Sequence, residues 1–156
     1  MPNSLIFDRT DYDIKTAKEI QEQVLKIFQT PTQAQYEILE RGCFTLSTLN
    51  RIETITQQLK TNVQTAGYLN NKDISTKSWL KTDVFYDTDL LRILNNVSIL
   101  KSSYYYYVDT PAVPEPVLYY QNLNNIEKIL YDIYSVYNTM IANYKECGND
   151  IECGED

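Results

Sequence analysis

Two short segments of the chain carry the same pattern, a carboxamide and a carboxylate three residues apart. The segments are Leu49–Glu53 and Leu123–Glu127, and each reads Leu-Asn-x-Ile-Glu. Residues three apart lie on neighbouring turns of one helix face, so each segment predicts a helix with an Asn and a Glu beside an apolar stripe. Two such glutamates on facing helices could hold a metal ion or form an acid–base pair. They could instead accept hydrogen bonds from arginines in a satisfied polar network.

The polar network is the interpretation that the sequence favours. Helical carboxylate metal sites usually add a Glu-x-x-His pattern, and the chain has no His. The sequence also has no paired nucleophile and base and no phosphate-binding loop. We therefore expect no catalytic residue, no metal and no cofactor. Arg51 and Arg92 are the obvious cationic partners of Glu53 and Glu127, and we predict one network that fixes how the two helices pack.

The three cysteines, Cys43, Cys147 and Cys153, do not indicate redox or metal chemistry. Cys147 and Cys153 are separated by five residues, which is not the Cys-x-x-Cys spacing of a redox pair. Two thiols without a histidine or a second pair also make a poor zinc site. We expect free thiols, because disulfides are rare in a reducing cytoplasm.

Composition narrows the class of protein further. The 156 residues are 43% hydrophobic, which fits a single helical domain over residues 1–156. A glycine count of only 4 argues against an all-β fold. The net charge of −7, with scattered lysines and arginines, argues against nucleic-acid binding. No apolar run approaches the ~20 residues of a membrane span, and the N-terminus lacks the pattern of a signal peptide.

The spacing of the apolar residues predicts an all-α bundle of about five helices. The first predicted helix follows Thr10 and runs to about Gln29, and the second runs from Thr30 to Gly42. The third starts between Thr45 and Thr48 and ends at Gly67, and the fourth starts near Tyr86 or Asp87. The fifth runs from about Leu118 to Glu146, with a stop at Gly148. Thr10 with Asp13, and Thr30 with Gln33, are the expected capping pairs of the first two helices.

Each predicted helix has one apolar face that we expect to be buried. In the first helix it comprises Ile14, Ala17, Ile20, Val24, Ile27 and Phe28. In the second, short helix it comprises Tyr36 and Leu39. In the third it comprises Leu46, Leu49, Ile52, Leu59, Val63 and Ala66. In the fourth it comprises Leu90, Ile93, Leu94, Val97 and Leu100. In the fifth it comprises Leu123, Ile126, Leu130, Ile133, Tyr137, Met140 or Ile141, and Tyr144.

Three segments lack helical spacing. Residues 68–86 predict a long irregular loop, which we expect Trp79, the only Trp, to anchor to the core. Residues 108–117 contain three prolines and predict an extended crossover. Residues 148–156 form an acidic tail, predicted as flexible or as a short strand. The run Tyr104–Tyr107 before the crossover fits either an aromatic interaction surface or core packing.

An ordered set of motifs gives the whole chain a resemblance to a known type of module. The set comprises "FDRTDYD", "TLNRIE" followed by "AGY", Trp79 followed by "TD", "LLRILNN", "TPAVP", "NNIEKIL" and the closing Cys-Gly pairs. It resembles a small helical module encoded in tail and baseplate regions of prophages of low-GC Gram-positive bacteria. The module's characteristic polar positions correspond to Asn50, Arg51, Glu53, Trp79, Arg92, Asn96, Asn124 and Glu127. We include Asn96 in the predicted network on that ground.

The chain departs from the module's pattern at two places. Phe85-Tyr86 stands where the resemblance implies a Pro-Thr helix start, and Cys-Gly stands where Ser-Gly is commoner near the end. The second difference argues against an essential role for the thiols.

The resemblance implies a non-enzymatic virion component of a tail or baseplate. It would assemble in the host cytoplasm with other phage structural proteins and with copies of itself, without binding nucleic acid or membrane. The alternative is a small cytoplasmic prophage-encoded protein that binds and modulates a host protein. An acidic helical surface would suit a basic target of that kind.

Overall fold

A computed structural model describes residues 5–27, 29–69 and 73–149, with side chains for all of these except 27 and 145–149. Every regular element in this part of the chain is a helix, which confirms the predicted all-α fold. The helices are α1 (Asp11–Ile27), α2 (Gln33–Gly42), α3 (Leu46–Thr65), α4 (Asp87–Ser103) and α5 (Tyr120–Asn149). The predicted acidic tail lies outside the described residues from position 150 onward, as does Phe28.

The core lies where α3, α4 and α5 pack against one another. The predicted face of α4 is buried throughout, and Leu59, Val97 and Leu130 are fully enclosed. Sequence spacing missed Ile55 and Ile129, which are also buried. These buried aliphatic side chains stabilise the bundle chiefly by removing apolar surface from water.

Tyr36, Ala66 and Tyr144 were predicted to be buried and are exposed. Of the two alternatives on the α5 face, Met140 is half-buried and Ile141 is exposed. Ala66 is exposed because α3 ends at Thr65, so its side chain lies beyond the last turn that contacts the core. Ile141 and Tyr144 are exposed because α5 continues past the last buried core residue, Ile133, before its last described side chains. An unbroken helical period therefore overestimated the length of the buried face.

The helix ends follow local hydrogen bonding. The Thr10 backbone N–H donates to Asp13 Oδ2 at 2.8 Å and the Asp13 N–H to Thr10 Oγ1 at 3.3 Å, which confirms the first capping box. Thr45 is the N-cap of α3, in agreement with the predicted start between Thr45 and Thr48. Gly67 has a φ of 82° and ends α3, since that conformation is costly for residues with a Cβ. At the other end of the chain, α5 starts at Tyr120 and passes Gly148 to reach Asn149.

The predicted start of α2 is wrong by two residues. Thr32, rather than Thr30, is the N-cap, and its partner in the capping box is Gln35 rather than Gln33. The sequence offers Thr-x-x-Gln twice in succession, so both registers satisfy the same rule. Pro31 consequently precedes the helix instead of occupying its first position.

α1 and α2 pack on each other as a hairpin beside the three-helix core. Ala17 is the only residue of α1 that is fully buried among its described side chains, while Ile14, Ile20 and Val24 are half-buried. The hairpin is close because Gly42 has no side chain. A Cβ at position 42 would overlap the Ala17 methyl group and the Asp13 carbonyl.

We predict that Gly42→Ala destabilises the protein by about 1–3 kcal/mol, because α1 must move away from α2 to admit the new methyl group. This cost outweighs the ~1 kcal/mol that Ala gains over Gly from helix propensity. Urea unfolding followed by circular dichroism measures the change. Lys18→Ala, an exposed substitution on the same helix pair, is the matched control. An unfolding midpoint of Gly42→Ala equal to that of the wild type would show that the hairpin is not closely packed.

Candidate functional site

Asn50 of α3 holds the long loop through both polar groups of its side chain. Its Nδ2 donates to the Trp79 carbonyl at 3.0 Å, and the Trp79 backbone N–H donates to Asn50 Oδ1 at 2.8 Å. The amide thus satisfies the backbone of one loop residue as a neighbouring strand would. The Trp79 ring is buried against Phe85, with the Lys77 ammonium 3.9 Å from its centroid. Trp79 lies where a loop anchor was predicted.

Glu53, one turn further along α3, accepts hydrogen bonds from the same loop and from α4. Trp79 Nε1 donates to Glu53 Oε1 at 3.2 Å, and Arg92 donates from Nη2 at 2.5 Å and from Nη1 at 3.1 Å. Arg92 Nη1 and Asn96 Nδ2 also donate to the Ser75 carbonyl, at 2.8 Å and 2.7 Å. We call Asn50, Glu53, Trp79, Arg92 and Asn96 the loop cluster.

Asn124 of α5 repeats the arrangement on the segment that precedes α1. The Arg9 backbone N–H donates to Asn124 Oδ1 at 3.3 Å, and Asn124 Nδ2 donates to the Arg9 carbonyl at 3.0 Å. As Asn50 does with Trp79, Asn124 pairs with both backbone groups of one residue in an irregular segment.

Glu127, one turn after Asn124, is completely buried between two arginines. Its Oε2 accepts from Arg9 Nη1 at 2.6 Å and from the Ile6 backbone N–H at 3.1 Å. Its Oε1 accepts from Arg51 Nε at 2.7 Å, and the Glu127 side chain has 0% exposure. We call Arg9, Arg51, Asn124 and Glu127 the N-terminal cluster.

The hydrogen bonds of the predicted network therefore fall into two clusters, and the single network of the prediction is wrong. Arg92 pairs with Glu53, but Arg51 pairs with Glu127. Positions 51 and 53 are roughly 200° apart around α3, so their side chains point to different neighbours. Arg9 was missed because the segment before α1 has no periodicity that would indicate burial.

The residue order is the same after the two backbone segments that the asparagines hold. Arg9 and Trp79, the residues held by the asparagines, are each followed after four positions by an aspartate. Asp13 Oδ2 accepts from the Thr10 N–H, and Asp83 Oδ2 accepts from the Leu80 N–H at 3.0 Å. Arg41 and Thr10 bind the Asp13 carboxylate and hold its pKa below the usual value.

A second carboxylate of α5 secures the crossover. Asp132 is buried, accepts from Thr110 Oγ1 at 2.7 Å, and pairs with Lys128 at 2.6 Å one turn away. Lys101 Nζ donates to the Pro111 carbonyl at 2.5 Å from the α4 side. Neither contact was predicted, because both partners lie in a proline-rich segment without a repeating pattern.

The four tyrosines before the crossover divide between core and surface. Tyr104 is buried, with its hydroxyl 3.2 Å from Met140 Sδ, so for this residue the core-packing alternative holds and the interaction-surface alternative does not. Burial raises the pKa of this phenol. Tyr105, Tyr106 and Tyr107 are 58%, 46% and 41% exposed, and Val108 after them is fully exposed. The aromatic surface is therefore the run Tyr105–Val108, which we call the crossover patch.

The geometry of both clusters is typical of structural ion pairs. Within the residues described, no three histidine, cysteine, aspartate or glutamate side chains lie close enough together to hold a metal ion. Cys43 has a free thiol, whose pKa is raised by burial. The Cys147 side chain and Cys153 lie outside the described residues. No helix in the described part of the chain is long and apolar enough to cross a membrane.

Comparisons with protein families, with curated proteins and with solved structures found no match to this chain.

We predict that Glu127→Gln is more destabilising than Glu53→Gln. Removing the Glu127 charge leaves two buried arginines without a counter-charge, for an expected loss of about 3–5 kcal/mol. The Arg92 side chain is 22% exposed, so water can solvate it when Glu53 is neutralised, and the expected loss is about 1–3 kcal/mol. Urea unfolding gives both values, with the exposed change Glu115→Gln as a control. Equal losses for the two glutamates would contradict the difference in burial.

We predict that Asn50→Ala opens the loop around Trp79, whereas Asn124→Ala leaves it closed. The first change removes both hydrogen bonds to the Trp79 backbone and should cost about 1–3 kcal/mol. Because Trp79 is the only Trp, acrylamide quenching of its fluorescence reports on this loop alone. Asn124→Ala is the matched control, since it breaks the equivalent bonds at Arg9. Increased quenching in both variants would mean that the two clusters are not independent.

Proposed function

We propose that this protein is a non-enzymatic structural or adaptor component of a bacteriophage tail or baseplate. It acts by packing against copies of itself and against neighbouring virion proteins, after assembly in the host cytoplasm. The observation that carries the proposal is the crossover patch, an apolar surface exposed to water on a firmly held segment. The resemblance of the ordered sequence motifs to a prophage tail module supplies the setting.

The crossover patch has the composition of a protein-binding surface. Tyrosine is enriched at interfaces because its ring gives a large contact area and loses little conformational entropy. Here three consecutive tyrosines are followed by a valine whose side chain is fully exposed. Large apolar side chains exposed at successive positions support a site of interaction.

The patch is held at both ends by buried contacts. Tyr104 precedes it in the core, and Thr110 follows it with a hydrogen bond to the buried Asp132. Lys101 lies 4.7 Å from the centre of the Tyr106 ring, and Tyr107 Oη is 3.1 Å from Ser135 Oγ. A surface organised in this way before binding loses less entropy when a partner docks.

The two carboxylate clusters support a structural role better than a chemical one. Glu127 is enclosed, and its two oxygens accept hydrogen bonds from Arg9, Arg51 and a backbone N–H. A carboxylate held in this way is a poor general base, because a base must reach the proton that it removes. The net charge of −7 also disfavours contact with nucleic acid.

The alternative function, a cytoplasmic protein that binds a host protein, would use the same acidic and aromatic surfaces. A basic target would suit the negative charge. Salt sensitivity separates the two, because a charge-driven complex weakens as ionic strength rises, whereas packing of the apolar patch is much less affected.

Quantitative mass spectrometry of purified phage particles from an induced lysate tests the proposal. We expect the protein in the particles at a fixed copy number relative to the major tail protein, in a multiple of three or six. Its absence from particles, together with abundance in the soluble lysate, would overturn the virion assignment and favour the host-directed alternative.

A variant with Tyr105, Tyr106 and Val108 all changed to Ser tests the crossover patch. We expect it to fold normally but to be at least tenfold depleted from particles, because the contact surface is lost. The control changes Tyr12 of α1 and Tyr144 of α5, whose side chains are 76% and 77% exposed, to Ser. Normal incorporation of the triple variant would exclude the patch as the contact surface.

A further inference from the structure

Arg9 is a buried cation, and of its three guanidinium nitrogens only Nη1 donates hydrogen bonds to described residues. Its Nη1 donates to Glu127 Oε2 at 2.6 Å and to Asn124 Oδ1 at 3.2 Å, and also contacts the Ile6 carbonyl. Its Nε and Nη2 have no hydrogen-bond partner among the described residues, although the side chain is only 1% exposed. Buried donors are almost always paired in folded proteins, so this edge of the guanidinium needs an acceptor.

The charges within the N-terminal cluster do not balance. Arg9 and Arg51 both bind Glu127, so the N-terminal cluster contains two buried positive charges and one negative charge. Arg41, which lines the adjoining cleft, pairs with Asp8 and Asp13 at 3.1 Å each, so this neighbouring group has one surplus negative charge. The Asp8 side chain is 70% exposed, so water screens its charge more strongly than it screens a buried one. One further anion would neutralise the cluster.

A cleft of about 230 Å³ lies against Arg9. Its walls are largely apolar and include Phe44, Leu118 and Leu123, while Cys43 lies beside Phe44. Small-molecule sites commonly combine apolar walls with one or two polar groups that fix orientation. The volume is below the range of about 300–1,000 Å³ for drug-sized ligands, which restricts the occupant to a small molecule.

The unpaired edge has a specific geometry. The Nε–H and one Nη2–H of a guanidinium point the same way and match the two oxygens of a carboxylate. Both nitrogens have less than 1 Å² of accessible surface, so a ligand reaches them when a wall residue moves. Leu118 and Tyr119, immediately before α5, are 41% and 64% exposed, and their displacement would open the cleft.

We propose that this cleft binds a small organic acid, whose carboxylate pairs with the Nε and Nη2 edge of Arg9 while its apolar body lies among Phe44, Leu118 and Leu123. The carboxylate gives the cluster two negative charges against two positive ones. An apolar body is required because the walls offer more apolar than polar surface. The proposal does not depend on the virion role.

The test is a titration of the full-length, ¹⁵N-labelled protein with sodium benzoate, followed by NMR. We expect benzoate to shift the Arg9 Nε–Hε resonance and the resonances of Phe44, Leu118 and Leu123. Benzamide has nearly the same shape without the charge, and it should bind at least tenfold more weakly. Acetate lacks the apolar body and should also bind at least tenfold more weakly. Equal binding of benzoate and benzamide would overturn the proposal, as would shifts confined to other parts of the molecule.

Two variants separate the cleft from non-specific binding. Arg9→Lys retains a charge for Glu127 but removes the two-pronged edge, so benzoate affinity should fall at least tenfold. Leu118→Trp fills the cleft without changing the N-terminal cluster. It therefore tests whether benzoate binds in the cleft even if Arg9→Lys does not fold. We expect it to abolish the benzoate shifts, whereas Leu91→Trp, at a site on α4 that is 53% exposed, should bind as the wild type does. Unchanged binding by Leu118→Trp would show that the cleft is not the site.

Discussion

The buried carboxylate of Glu127 is the constraint on which most of the arrangement depends. It joins three parts of the chain that are far apart in sequence: the segment before α1, α3 and α5. An enclosed charge is stable only when its partners are in place, because desolvating a charge costs several kcal/mol. Any movement of α3 against α5, or of the N-terminal segment away from both, would break a charged hydrogen bond. The N-terminal cluster therefore specifies one packing of the bundle, whatever it adds to net stability.

The two Leu-Asn-x-Ile-Glu segments each fix an irregular segment of the chain against a helix in the same way. A helical bundle with long irregular segments must pair the backbone groups of those segments without a β-sheet. In each copy, Asn pairs with one backbone residue, and Glu one turn later accepts from that residue's side chain and from an arginine on a neighbouring helix. Leu and Ile in the same five residues supply the adjoining core. A short pattern thus secures both an irregular segment and a helix–helix contact.

The helices and their core were predictable because both follow a local period. The face of α4, the capping box at Thr10 and the stop at Gly67 each depend on residues within one or two turns. The pairing of Arg51 with Glu127, 76 positions apart, depends instead on which helices become neighbours, and no local signal contains that information. Arg9 was missed for the same reason, although it lies in a motif singled out by the resemblance. The predicted start of α2 was wrong for a different reason, because two equivalent capping boxes lie within a few residues of each other.

The segment between α4 and α5, residues 104–119, connects the two surfaces to which we assign binding roles. Its first part carries the crossover patch, and its last part, at Leu118 and Tyr119, forms a wall of the cleft beside Arg9. Asp132 and Lys101 fix the crossover between them, at Thr110 and Pro111. Because of this fixed point, a movement of Leu118 that admits a ligand need not disturb Tyr105–Val108. Binding at one surface would then be nearly independent of the other, since coupling requires an element that moves with both. An organic acid in the cleft would stabilise the fold by mass action and leave the contact surface as it is.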